Sequence, residues 1–470
     1  IGAVDIVLFD KIYVKNVSVT DLQNEKLLFI KELKIEMNQN ALFQEEVILN
    51  NVFLNGGVLN INKDAKNGTP NFQFLIDYFA SDTKQSTKKG TFKIEQLQVS
   101  DLAFSYQKRG TGKSSFGVDF NHLKLNGFGL LLNDFVIDGS DISANIEGLS
   151  FSEKSGLVLS DMQANLQISN EQIKLSELKL NTKSSEIDIP LFELNYNQWS
   201  AFSSFEDSVL FNSIVNESRV ALNEVSYFVP SMQGMSDTVT LQGKVRNSVN
   251  KLELSNLEIL FGDKSFIKGD FQLPDFSGNG NQDVTQQVRN AYFDFKDVNE
   301  FRLPADIEPL QMAAVLEHQF ISFTNLNLEG NLNQVKIDAA SIESKYGLLK
   351  VPNQMVLKKD AHGFSIMPEE KFVSPLIVDR FQLGSFLNQD DLGFISGSFR
   401  PNFRLTNSGH VELDLTKGSI NRFDINGYGI SGISVDGSSI RNELLELKLS
   451  IEEQSIDLKL SAKLDLASPN

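Results

Sequence analysis

No cysteine occurs anywhere in the chain, which excludes thiol catalysis, disulfides and thiolate metal sites. That absence is compatible with an oxidising compartment such as a periplasm. No apolar run reaches the ~18 residues that a membrane-crossing helix needs. Basic residues are the minority, 43 Lys and Arg against 61 Asp and Glu, for a formal charge of −18. This balance argues against nucleic-acid binding, which requires a basic footprint. It also argues against docking on an anionic bilayer through a polybasic patch. The chain opens at Ile1 rather than Met, without signal-peptide architecture, and reads as processed or as a piece of something longer.

Chemistry-bearing clusters are equally scarce. His122, His318, His362 and His410 are scattered, without the ligand spacing of a metal site. Gly110-Thr-Gly112-Lys113-Ser114 resembles the end of a phosphate-binding loop, but Gln107 stands where the motif's first glycine belongs. A strand rather than a helix is expected after it, over Phe116 to Leu125, so the segment reads as a hairpin tip. Glu45-Glu46, Asp390-Asp391 and Glu452-Glu453 would point to opposite faces of a strand and cannot act jointly as acid and base. With no nucleophile beside a base, neither an enzyme nor a bound cofactor or metal is expected.

Phenylalanine, by contrast, is abundant: 36 residues against eight tyrosines. It offers apolar surface with no polar atom to satisfy, which suits a dry surface better than a polar pocket. Apolar and polar residues alternate from end to end, the period-2 signature of strands with one wet and one dry face. Ile142 to Ile146, Met162 to Ile168 and Val335 to Ala339 show it, and Ile456 to Leu466 keeps it without an error. Turn residues punctuate the runs at Asn67-Gly68, Asp138-Gly139, Asn170, Asn247-Ser248, Gly262-Asp263, Asn426-Gly427 and Asp436-Gly437. The predicted fold class is all-β, an elongated, curled antiparallel β-sheet groove with a few short capping helices. Those helices are expected at Asn71 to Phe79, where Phe72, Leu75, Ile76 and Phe79 form one stripe behind an Asn71 cap, at Gln198 to Asp207, and near Pro309 to His318. Polar stretches at 80–92 and 277–287 read as loops. The regions 1–85, 86–200, 201–290 and 291–470 share one character, so one continuous sheet is expected.

A sheet of ~30 strands spaced about 4.8 Å apart makes a ribbon of roughly 140 Å, too long to close into a small barrel. Its dry face is covered by a second sheet, giving a sandwich or solenoid, or it curls into an open gutter filled by lipid. Crossing water alone would cost a phospholipid with ~30 methylenes roughly 24 kcal/mol, so a continuous apolar lining is a sensible lipid path. The lining positions predicted from the regular phases are Ile94, Leu102, Phe104, Ile142, Ala144, Ile146, Leu166, Ile168, Leu252, Leu254, Val335, Ile337, Leu413, Leu415, Leu458, Leu460 and Leu464. The bland alternative for every one of them is sandwich core.

Several stretches also resemble a known family. They are Leu28 to Glu36, Val47 to Ile61, Asp64 to Phe72, Phe151 to Leu157, Leu178 to Ile187, Leu222 to Pro230 and Asn426-Gly427-Tyr428. Together they resemble the TamB branch of the AsmA-like proteins, in the form found in Bacteroidota. The resemblance implies a periplasmic protein anchored in the inner membrane by an N-terminal helix outside this chain. It implies phospholipid acyl chains as cargo bound for the outer membrane. It further implies an outer-membrane barrel partner of the TamA/BamA type, met through a C-terminal region outside this chain. Two other readings remain open: a ligand-free adhesive solenoid, and an assembly or secretion factor that handles outer-membrane strands at its open edge.

Overall fold

The structure is a computed structural model. It describes the chain outside residues 1–2, 8–10, 38–46, 65–67, 75–76, 78–90, 274–283, 304–318, 332, 339, 352–354, 361–362, 367–374, 388, 407–410, 436, 442–443, 454–455 and 466–470. Strands dominate, helices are few and short, and the sheet is not closed into a barrel, so the fold class is all-β as the alternation predicts. The chain divides into two units, Ile1–Val249 with Arg302–Glu308, and Asn250–Phe301 with Pro309–Asn470. The alternating pattern runs unchanged past Val249, which is why the sequence marks no division there.

The first unit holds β1 (Ala3–Val7), β2 (Lys11–Thr20), β3 (Lys26–Met37), β4 (Val47–Asp64), β5 (Thr91–Arg109) and β6 (His122–Asp138). It continues with β7 (Asp141–Glu153), β8 (Val158–Ile168), β9 (Gln172–Thr182), β10 (Glu186–Asn195), β11 (Leu210–Ala221) and β12 (Thr238–Asn247). Each strand pairs antiparallel with the next, with one departure from the expected meander: β4 and β5 are parallel, from Val47↔Phe92 to Asp64↔Arg109. Alternating strands read alike in either direction, so the sequence could not expose this pair.

The long strands are creased. At one level across β2 to β5, Asn16, Lys31, Gly56 and Asp101 drop out of the pairing while their neighbours keep register. Asn16, Gly56 and Asp101 are left-handed there, with φ of 53°, 63° and 53°. A second seam drops Asn50, Glu95 and Asp134, with Asp134 at φ 48°. Asn, Asp and Gly tolerate this conformation better than other residues. Each seam advances the chain by one unpaired residue, so the apolar phase changes parity while the same face stays dry. Val14 to Val17, Leu54 to Gly57 and Val99 to Leu102 all make that three-residue step across the first seam.

The second unit holds β13 (Glu253–Phe261), β14 (Ser265–Gln272), β15 (Val284–Asp294), β16 (Phe320–Gly330), β17 (Gln334–Asp338), β18 (Ala340–Ser344), β19 (Gly347–Val351), β20 (Met355–Asp360) and β21 (Gly363–Ile366). It ends with β22 (Leu376–Gln382), β23 (Leu392–Thr406), β24 (Val411–Ile425), β25 (Tyr428–Ile430), β26 (Ile433–Val435), β27 (Ser438–Arg441), β28 (Leu444–Glu453) and β29 (Ile456–Asp465). After β16 the sheet forks. One lane runs β18–β19–β22, the other β17–β20–β21, and both rejoin on β23. Phe399, Ile420, Ile433 and Val435 form its buried cluster, with Val378, Leu449 and Ile451 packed against them.

Short helices latch turns in both units by the same geometry. The helix Leu222–Val225, after β11, brings Glu224 to the β9–β10 turn, where the Ser184 N–H and the Thr182 and Ser185 hydroxyls donate to it. The Ala221 N–H donates to Ser185 Oγ at 3.0 Å. The helix Phe295–Glu300, after β15, brings Asp297 to the β13–β14 turn. Asp297 accepts the N–H groups of Asp263, Lys264 and Ser265 at 2.9 Å, and the Asp294 N–H donates to Ser265 Oγ at 2.9 Å. Burial would push the Asp297 carboxyl up, but the amides of Asp263, Lys264 and Ser265 and the Ser265 hydroxyl outweigh it and hold it below the ordinary carboxylate range.

Of the predicted helices, 199–208 forms as a 3-10 turn, Trp199–Ser204, running into a helical turn, Phe205–Ser208. Gln73 and Phe74 are helical, whereas Leu75, Ile76 and Phe79 lie outside the described residues, as does 309–318. Asn71 does not serve as the expected cap. Its Oδ1 accepts the Asn62 N–H at 3.0 Å and its Nδ2 donates to Asp21 at 3.2 Å, tying the chain after β4 to the β2–β3 turn.

Candidate functional site

Cross-strand partners share a face, so the pairing register shows which side chains line up across the strands. In the first unit one row runs Val47, Phe92, Ile137, Ile142, Ile168, Ile173, Leu194 and Phe211, apolar over β4 to β11. A second runs Ile12, Ile35, Val52, Leu97, Leu132, Ile146 and Ala164, over β2 to β8, with Ile6 of β1 holding the next register position. The first crosses eight strands, roughly 34 Å. In the second unit Ile259, Ile267, Ala291, Phe323, Ile342, Leu349, Val378, Gly397, Ile420, Ile433, Ile451 and Leu458 align from β13 to β29. The one gap is Gly397, and the ring of Phe399 fills the space above it.

The other face is a polar ladder. Lys11, Glu36, Asn51, Gln96, Asn133, Asn145 and Asn165 align across β2 to β8. Asn51 donates to Glu36 at 2.8 Å, and Gln96 to Asn133 at 3.3 Å. A cleft of about 400 Å³ over β7 to β10 is lined mainly by polar side chains, among them Asn145, Gln163, Asn165 and Lys179.

The predicted lining residues fall on these rows or beside them. Ile94 pairs with Leu49 and Phe135, Leu102 with Gly57 and Phe128, and Phe104 with Leu59 and Leu125. Ala144 and Leu166 pair with each other, and Leu166 continues to Leu175. Leu254 faces Phe271, Val335 holds a register position opposite Leu357, and Ile337 lies between Leu328 and Met355. Leu415 is paired in register with Pro401 and Ser438. Leu413 and Leu464 hold register positions opposite Phe403 and Leu445, though their side chains lie outside the described residues. Two placements differ from expectation. Leu252 precedes β13 rather than lying in a strand, its carbonyl accepting the Leu273 N–H. Leu458 and Leu460, on β29, are each 50 % exposed, because β29 pairs with β28 and with no second strand among the described residues.

Most of this face is half-buried. Ile94 and Ala144 are buried, but Leu102, Phe104, Ile142, Ile146, Leu166, Ile168, Leu254, Val335 and Ile337 are only partly covered.

The two rims of the first unit differ. At the rim of the β6–β7, β8–β9 and β10–β11 turns, the segment 199–208 lays aromatic rings over the end of the first apolar row. Tyr196, Trp199, Phe202, Phe205 and Phe211 form a chain with centroid spacings of 5.2, 5.7, 6.1 and 5.7 Å. At the opposite rim, buried acids hold the turns. Asp21 accepts the Gln23 and Glu25 amides at 3.0 and 2.9 Å, Glu153 the Ser155 amide, and Asp119 the Ser114 and Asn121 amides at 2.9 and 3.0 Å.

His122 also lies at this rim, buried, with Nδ1 at 2.9 Å from Asp119. Thr111 Oγ1 lies 3.5 Å from its Nε2, in the order of a hydroxyl–imidazole–carboxylate relay. The Thr111 proton, however, goes to the Lys108 carbonyl at 2.7 Å, so the trio closes the β5–β6 loop. The glycine-rich tip 110–114 lies in that loop, and its Ser114 amide is taken by Asp119. His318, His362 and His410 lie outside the described residues. Among the described residues, no group of three or more His, Cys, Asp or Glu is arranged to hold a metal ion.

The fold and this face define an open all-β sheet protein with one apolar and one polar side. No protein-family model, curated protein or solved structure matches the chain.

Proposed function

We propose that the dry face conducts phospholipid acyl chains from one membrane to another while head groups ride in solvent. The observation that carries this reading is that apolar rows continue over eight strands in the first unit and twelve in the second with most of their positions only half-buried, although Val52, Leu132, Ala164, Ala291, Ile420 and Ile433 are buried. A sandwich core of that length would be buried, whereas an open apolar face leaves room for a chain. At about 0.8 kcal/mol per methylene, an unbroken lining removes most of the barrier that water presents, without specific contacts. In this reading the protein is not an enzyme, works in the periplasm and supports outer-membrane biogenesis. The TamB-like stretches suggest the end points. One is the inner membrane, and the other an outer-membrane barrel of the TamA/BamA type.

The strand β29 favours a second reading. All ten of its residues pair with β28, and its other edge is free among the described residues, the geometry used for strand addition. An assembly or secretion factor for outer-membrane strands would use that edge.

The test of the first reading is extraction of the purified chain followed by mass spectrometry. Phospholipid should co-purify with the wild type, and Leu166→Asp should lose it, because a charge on the apolar row costs several kcal/mol to desolvate. A lipid-free wild type, or an aspartate variant carrying as much lipid as the wild type, would sink it. Leu460→Asp asks the same of β29, and lipid transfer left intact by it would remove that segment from the path.

A further inference from the structure

The total charge of −18 hides a local reversal of sign. At the rim formed by the turns after β5, β7 and β9, the acids Asp119, Glu153 and Glu224 are buried and occupied by turn donors. The lysines of the same turns face outward. Lys113 in the β5–β6 loop and Lys183 in the β9–β10 turn are exposed, as is Lys154 in the β7–β8 turn, whose Nζ donates one hydrogen bond to the His122 carbonyl at 2.8 Å; Glu186 is the exposed acid beside Lys183. Charges separated by more than a Debye length of roughly 8–10 Å are screened, so a binding partner senses this rim rather than the whole chain.

A strap, residues 222–235, crosses the same turns in order. Glu224 holds the β9–β10 turn, and the Tyr227 hydroxyl lies against Gly156 in the β7–β8 turn. The Tyr227 carbonyl accepts the Val118 N–H of the β5–β6 loop at 2.8 Å. The approach requires Gly117, where a Cβ would stand 2.5 Å from that carbonyl oxygen. The strap delivers Phe228 beside Phe120, ring centroids 6.5 Å apart. Both rings stay exposed, 52 % and 62 %, with Val229 at 41 %. A fold that buries its acids and leaves two phenylalanines outside among lysines has made an amphipathic surface.

We propose that this rim docks on an anionic phospholipid bilayer, with Lys113, Lys154 and Lys183 at the phosphates and Phe120 and Phe228 inserted at the interface. Charge complementarity selects an anionic partner, and the paired exposed rings select one with an apolar interior. The inference goes beyond lipid conduction and does not depend on it, since it uses the turns rather than the apolar rows.

The test is flotation of the full chain with vesicles of phosphatidylcholine alone, and with vesicles containing about a third phosphatidylglycerol. The chain should float with the anionic vesicles, and less so as salt is raised. The triple variant K113E/K154E/K183E should weaken this at least about tenfold, and F120S/F228S by a similar factor, with circular dichroism unchanged. Should the serine pair disturb the fold, F228S alone serves the same purpose. Three results would overturn the proposal: no flotation of the wild type, equal flotation with neutral vesicles, or flotation untouched by F120S/F228S while polyglutamate competes fully. The last would make the partner a soluble acidic macromolecule. Loss of flotation alongside co-purified lipid would remove this inference and leave the conduction reading standing.

Discussion

The two rims of the first unit solve one problem in opposite ways. A sheet end leaves turn amides without partners and an apolar face without a cover. On one rim the amides are the issue, and buried carboxylates satisfy them, Asp21, Asp119 and Glu153 from within their own turns and Glu224 from a neighbouring segment. On the other the apolar face is the issue, and rings at Trp199, Phe202 and Phe205 cover it. Directional bonds fix the first rim in one geometry, whereas ring contacts on the second allow adjustment. In the conduction reading proposed above, one fixed side would hold the shape of the face while the adaptable side admits cargo of varying bulk.

Substitutions break this comparison to different extents. The largest effect is expected for Glu224→Ala, which leaves the Ser184 amide and the Ser185 and Thr182 hydroxyls without their acceptor and frees the strap. It should cost about 3 kcal/mol in urea unfolding. A loss below about 0.5 kcal/mol would show that the latch is incidental. Next comes acidity. Burial would push the Asp21 carboxyl up, but the Glu25 amide, Asn71, the Gln23 amide and Arg109 outweigh it and hold it below the ordinary range. A lowered folded value means that its contribution is complete above the unfolded value of about 3.9 and fades as pH falls through the folded one. The stability gap between wild type and Asp21→Asn should therefore stay level from about pH 7 to 5 and close in stronger acid.

The aromatic rim should respond less. Phe205→Ala removes a partly buried ring from the stack and should cost about 1–2 kcal/mol, independent of pH. Trp199 is the only tryptophan in the chain, so its emission should shift to the red in the same variant. The smallest effect belongs to Trp199→Ala. Its ring is already 50 % exposed, and thermal unfolding should register under about 1 kcal/mol. If the aromatic variants prove costlier than Glu224→Ala, the assignment of the fixed and adaptable rims is reversed.

The alternation made the fold class and the dry face legible, because a period of two survives whatever the strand order. Even the creases leave a trace. Val14 to Val17 and Val99 to Leu102 are phase slips, with Asn16 and Asp101 between them. The parallel pairing of β4 with β5 is not marked in β4 itself, since the apolar runs Val47 to Leu49, Val52 to Leu54 and Val58-Leu59 fit a neighbour running in either direction. Nor did the latches: Glu224 meets Ser185, 39 residues away, without local signal at either end. Asp119 and His122 are close in sequence, but only the loop geometry turns them toward each other. The exposed pairing of Phe120 with Phe228 was equally hidden, since the two are distant in sequence and abundance alone marks neither.

Leu166 and Gln167 offer the most direct test of the central claim, because they are adjacent on β8 and point to opposite faces. A photo-crosslinking residue at 166 should capture phospholipid in cells, while the same residue at 167 should capture little or none. Equal capture at both positions, or none at 166, would contradict a lipid path along the apolar face.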